Sequence, residues 1–138
     1  MSDHFSWGLQ KAIFSRLAEN ADLTALLNNP PRIFDAPPSD AVFPYLILGE
    51  TRVRDWAGVD GGLEHEIRIN AYSKYQGRRE VKDLLNTIYD TLHEAEFSIE
   101  GRRLVHIRFV FADIFPRADG GVFQGVARFR AVTMKDVS

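Results

Sequence analysis

The chain has 138 residues, 45% of them apolar and 26% charged, with a formal net charge of −2. This fits one α+β domain over residues 1–138 whose core needs no staples, because a chain of this size buries roughly two thirds of its unfolded surface. The lack of cysteine excludes disulfides, thiolate metal sites and cysteine nucleophiles, and the charge balance excludes an overall positive field that would drive nonspecific DNA binding.

The first segment reads as a helix. Phe5, Leu9, Ile13 and Leu17 recur every four residues with Ala12 in the same stripe, Ser2 or Asp3 can cap the start, and Asn20 suits the end. A brief second helix is expected over Leu23 to Leu27, capped by Asp22. Asn28-Asn29-Pro30-Pro31 stops it, since two prolines cannot continue the hydrogen-bond ladder. Arg32 to Asp35 is a possible short strand. Pro44 to Gly49 is a stronger one, nearly continuous in apolar residues, with its proline at the first position. From Glu50 to Gly62 the sequence predicts a long, protruding β-hairpin, because Gly58, Gly61 and Gly62 favour a turn or a mobile tip.

Leu63 to Tyr75 alternates with period two: Leu63, His65, Ile67, Ile69, Ala71 and Tyr75 on one side, Glu64, Glu66, Arg68, Asn70 and Lys74 on the other. Gly77 breaks it. Val81, Leu84, Leu85, Ile88 and Leu92 then mark a helix from about Arg78 to Ala95. After a turn at Glu100-Gly101, Leu104 to Phe115 alternates again, with Val105, Ile107, Phe109 and Phe111 assigned to the core face. Ala118-Asp119-Gly120-Gly121 is a hairpin turn, and Phe123 to Thr133 returns with Phe123, Ala127, Phe129 and Ala131 inward. The fold expected is two-layer: a mostly antiparallel sheet of about four to five strands, one face covered by two amphipathic helices.

Motifs for chemistry are missing. The four histidines form no helical i, i+4 pair, and HExxH, GxSxG, P-loop and GxGxxG patterns are absent. Neither a metal nor a cofactor is expected, and His65 on an apolar face reads as a neutral, hydrogen-bonded core imidazole. Glu64 and Glu66 share a strand face, but Arg68, Arg108, Arg128 and Arg130 lie on polar faces too, so cross-strand ion pairing explains them better than a paired-acid hydrolase. Arg108, Arg128 and Arg130 suit a protein-facing patch more than a nucleic-acid platform. Trp56 beside a glycine-rich turn either folds back on its own sheet or serves as a hot spot for a partner, flanked by Arg52, Val53, Arg54, Asp55 and Val59. No apolar run nears the roughly 18 residues of a membrane helix. The opening Met1-Ser2-Asp3-His4 lacks the marks of a signal peptide, and a soluble intracellular product with no membrane partner is expected.

Several stretches resemble one family. They are Leu9-Gln10-Lys11-Ala12-Ile13-Phe14-Ser15-Arg16-Leu17, Phe43 to Glu50 with Arg54-Asp55-Trp56 after it, and Glu64-His65. The helix from Gly77-Arg78 to Leu92-His93, Gly101-Arg102-Arg103-Leu104-Val105 and Gly125 to Ala131 complete the set. Their order and spacing, from about Phe5 to Thr133, are similar to the tail-completion or tail-terminator proteins of phages and gene transfer agents with siphophage-like tails. The resemblance implies a structural protein with no catalytic residues, assembled in the bacterial cytoplasm and placed at the head-proximal end of a particle's tail. It implies a hexameric ring that caps the tail-tube protein, halts tube growth and meets a head-side connector. DNA would transit the lumen without sequence-specific binding, which a near-neutral or acidic chain suits, since phosphate binding grows with each neutralised charge. A head–tail connector or stopper is the alternative role. A small ligand-binding or enzymatic domain using Glu64, Glu66 or His106 is a further one.

Overall fold

The computed structural model describes residues 6–28, 30–49, 52–74, 78–117 and 121–136. Among the described residues three helices and six strands follow in the order α1 (Trp7–Ala18), α2 (Ala21–Leu27), β1 (Ile33–Phe34), β2 (Tyr45–Leu48), β3 (Arg52–Asp55), β4 (Gly62–Ser73), α3 (Arg79–Leu92), β5 (Arg102–Pro116) and β6 (Phe123–Lys135). Leu9, Ile13 and Leu17 form the buried stripe of α1. The expected caps Ser2 and Asp3, with Phe5, lie outside the described residues, as do Tyr75, Gly77 and Ala118 to Gly120 of the expected breaks and turns. Asn20 caps α2 in place of Asp22: the Leu23 N–H donates to its Oδ1 at 2.9 Å, while Asp22 sits in the first turn, where a carboxylate opposes the helix dipole.

The sheet runs β1-β2-β4-β6-β5, with β3 also on β4. Its count of six exceeds the four to five expected because β2 and β3 are separate short strands that follow one another along β4. The register moves by one residue between Leu48↔Ile69 and Arg52↔Glu66. All pairings are antiparallel except β1 with β2, whose connection from Asp35 to Pro44 lets the chain return in the same direction.

The helices cover one face, as the amphipathic stripes require. Val81, Leu84, Leu85, Ile88 and Leu92 of α3 meet Ile67, Ile69 and Ala71 of β4, Ile107 of β5 and Ala127, Phe129 and Ala131 of β6 in one core, with Leu23 and Leu27 of α2 joining it. Two glycines permit close approach. A Cβ on Gly125 would stand 2.5 Å from the Val81 methyl, and one on Gly8 2.4 Å from the Glu100 carbonyl, so α3 and α1 both press on backbone.

On β5 the expected alternation fails. Register shifts fall between Leu104 and His106 and between Phe109 and Phe111, which makes Val105 and Val110 the extra residues of two β-bulges. Each bulge resets the parity. Ile107 and Phe109 keep the core face, but Val105 is 38% and Phe111 44% exposed, and Phe111 lies on the outer face opposite Arg128. The expectation that Val105 and Phe111 are core residues is thereby corrected.

Candidate functional site

β3 and β4 pair as the expected hairpin, and of the turn or mobile tip expected at its glycines it has a turn that is tied down. The Trp56 N–H donates to the Gly62 carbonyl at 3.1 Å, and Val59 N–H and Gly62 N–H close the turn on the Trp56 and Val59 carbonyls. Positive φ at Gly58 and Gly61 makes this path possible. The Gly61 carbonyl accepts from the Lys135 N–H at 3.1 Å and from Arg102 Nη2 at 2.7 Å, binding the tip to β5 and β6. Trp56 lies half-buried, its ring against Gly62 beside Val59. Asp55 is exposed and Val53 half-buried opposite His65.

The sheet face turned away from the helices carries the remaining predicted residues. Strand alternation and register set them in cross-strand rows. One row holds Arg54, Glu64, Val132 and His106, and the next Arg52, Glu66, Arg130 and Arg108. The row after that holds Arg68, Arg128 and Phe111. Glu64 pairs with Arg130 and, at 3.7 Å, with Arg54; Glu66 pairs with Arg128 at 3.4 Å. The Arg128 guanidinium lies 5.5 Å from the Phe111 ring. Arg108 lies 3.8 Å from Glu94. The two glutamates are thus each matched to arginines and not to one another, and they border only a 220 Å³ hollow, which His106 does not line. No cluster of three or more metal-ligating side chains occurs among the described residues.

His65 has the environment its strand face implies. It is fully buried, and its Nε2 is 2.8 Å from Thr133 Oγ1, which also accepts from Arg102 Nε at 2.8 Å. Burial, and secondarily the Arg102 charge, lower its pKa from 6.5 to about 4. The folded state therefore resists a proton that the unfolded chain accepts, and stability falls as pH drops from 6.5 towards 4. Between pH 7 and pH 5 the loss due to this group is about 2 kcal/mol. Urea unfolding at the two pH values should show a smaller loss by about that amount in His65→Gln; equal losses would mean that His65 is not held neutral.

The two margins of the sheet differ. Along β5, the end of α3 covers the strand as far as Phe109: the Glu94 N–H donates to the Ile107 carbonyl at 2.8 Å and the Phe109 N–H to His93 Nδ1 at 3.0 Å. Beyond it, Val110, Phe111 and Phe115 are 55%, 44% and 38% exposed. At the opposite margin, a 570 Å³ groove opens between α1 and β1, lined by Trp7, Phe14, Ile33, Phe34 and Leu48. Sequence reasoning missed Trp7, Phe14 and this groove. The available signal was their spacing of seven on the helix, a second apolar line beside the leucine stripe.

A family model described as tail completion protein gp17 matches residues 11–134. Among solved structures, a chain of one described as the virion of native gene transfer agent (GTA) particle is similar. Its TM-score is 0.85 and its identity 26%, and the match covers 96% of this chain and 99% of that chain. No curated protein matches.

Proposed function

The chain belongs to the gp17 tail completion protein family, and from that premise we propose that it is the tail terminator of a phage-like particle. It is a structural component of the particle, not an enzyme. In this reading copies close into a hexameric ring on the last ring of tail-tube subunits, stop elongation and present a surface to the head-side connector, with DNA passing through the lumen. The observation that carries it is the two-way match to a virion chain, which leaves almost no residue of either chain unaccounted for.

The two unlike margins support a ring. A head-to-tail contact between different patches closes by rotation, whereas one self-complementary patch gives only a dimer. The exposed, apolar run Val110-Phe111 with Phe115 and the groove at Trp7 and Phe14 lie at opposite ends of the sheet order, as such a contact needs. The Arg52–Val59 hairpin remains a proposed contact with the neighbour or the tube, through Arg52, Arg54 and Asp55 in particular, since Trp56 and Val59 are engaged in the turn itself. Arg108, Arg128 and Arg130 are proposed contacts of the polar face.

Particles made without the chain test the role. Tails of uncontrolled length, not joined to heads, are expected in micrographs. Tails of normal length that merely fail to join heads would instead favour a connector or stopper.

A further inference from the structure

The outer sheet face violates a rule that the rest of the fold obeys. Directly opposed like charges on neighbouring strands destabilise a sheet, yet Arg68 faces Arg128 and Arg108 faces Arg130. Of the chain's 17 basic residues, seven lie on this one face: Arg52, Arg54, Arg68, Arg103, Arg108, Arg128 and Arg130. Among the described residues, the acidic side chains of the strands on this face are Glu64, Glu66 and Asp113, with Glu94 reaching Arg108 from the edge. A chain that is acidic overall has thus gathered positive charge on its flat side. Glu64 and Glu66 are taken up by Arg54, Arg128 and Arg130. Arg52 and Arg68 are exposed and have no acidic partner among the described residues.

At the other end of the same face the segment before β2 folds over the sheet. Phe43 packs on Tyr45 at 5.2 Å and Tyr45 on Tyr72 at 5.1 Å, which keeps Tyr45 and Ile47 buried. The arginine rows are left open. Glu66, Glu64 and Glu94 offset Arg128, Arg130 and Arg108, but Arg52 and Arg68 stay uncompensated beside them, the kind of local conflict that a binding surface carries and a merely structural one sheds.

We propose that this face docks a carboxylate-rich protein surface. The chemistry favours carboxylates on protein over phosphates of nucleic acid for two reasons. A phosphodiester backbone carries negative charge alone and would meet Glu64, Glu66 and Asp113 among the arginines, whereas a protein can answer both signs. The last of these rows also ends in Phe111, with Phe115 further along β5 on the same face, and an arginine field beside exposed aromatic rings is the composition of protein interfaces. Guanidinium forks then pair with carboxylates two bonds at a time. The inference concerns the charge of what is seated here, and it stands whether or not the chain closes a ring.

The test uses the full chain with two labelled probes, poly-L-glutamate and a short DNA duplex, at about 20 and about 200 mM salt, where screening lengths differ severalfold. Polyglutamate should bind more tightly than the duplex and weaken with salt. Arg52→Gln with Arg68→Gln should weaken that binding about tenfold while leaving the urea midpoint equal or higher, because a like-charge contact has gone. Tighter binding of the duplex, no binding of polyglutamate, or unchanged affinity in the double variant would each overturn the proposal. So would a lowered urea midpoint, which would make the arginines structural.

Discussion

Phe129→Ala should cost about 3–5 kcal/mol of unfolding free energy, the largest loss expected from a single truncation in this chain. Phe129 is fully buried at the centre of β6, between Ile67 of β4 and Phe109 of β5 in the register, and its ring meets that of Phe109 edge-on at 5.7 Å. Phe109 in turn meets Tyr89 of α3 at 5.0 Å, so the cavity would open where the helix layer and two strands join. Relaxation is restricted there, since α3 is already pressed against Gly125 two turns of the pleat away. A domain of this size holds roughly 5–15 kcal/mol in all, and the melting temperature should drop by roughly 10–20 °C. Urea or thermal unfolding reads the effect. A loss below about 1 kcal/mol would mean that the two layers do not meet at Phe129.

The second large effect is on assembly. Val110→Asp with Phe111→Asp should leave the urea midpoint near that of the wild type, because both side chains are largely exposed and neither contributes to the core. Particles carrying that variant as their only copy should have uncapped, overlong tails. Trp7→Asp with Phe14→Asp, at the opposite margin, should do the same. A head-to-tail contact makes a further demand: mixing the two variants leaves one good groove facing one good β5 margin, which permits a dimer and nothing larger. Sedimentation of the mixture reads this. Dimers in either variant alone would show a self-complementary contact, and a mixture without dimers would remove the ring built from these margins.

The sequence discloses strands and helices where the periodicity is unbroken. β4 shows its faces through Leu63 to Ala71, and α3 its stripe through Val81 to Leu92. It conceals what depends on pairing. Val105 and Val110 look like ordinary members of an alternating strand, and only the register with β6 exposes them as bulges that turn Phe111 outward. Gly58, Gly61 and Gly62 suggest a loose tip, but Arg102, 41 residues away, holds Gly61 by its carbonyl. The choice of Asn20 over Asp22 as a cap is a matter of two positions, and both residue types are good caps.

The candidate surfaces follow the same logic. The polar placement of Arg108, Arg128 and Arg130 is readable from alternation, and the pairing of Arg128 and Arg130 with Glu66 and Glu64 follows from the face they share. The opposition of Arg68 to Arg128 is not readable, because it needs the register between strands that are 60 residues apart in the chain. The groove at Trp7 and Phe14 is hidden for a related reason: it exists only because the two-residue strand β1 runs parallel to β2 and leaves room beside α1.

A cryo-electron microscopic reconstruction of whole particles addresses the proposed role most directly. It should place this chain as a closed ring seated on the uppermost tube subunits, with the groove of each copy filled by the β5 margin of the next. Finding the chain only against the portal, or not at the head-proximal end of the tail at all, would contradict it.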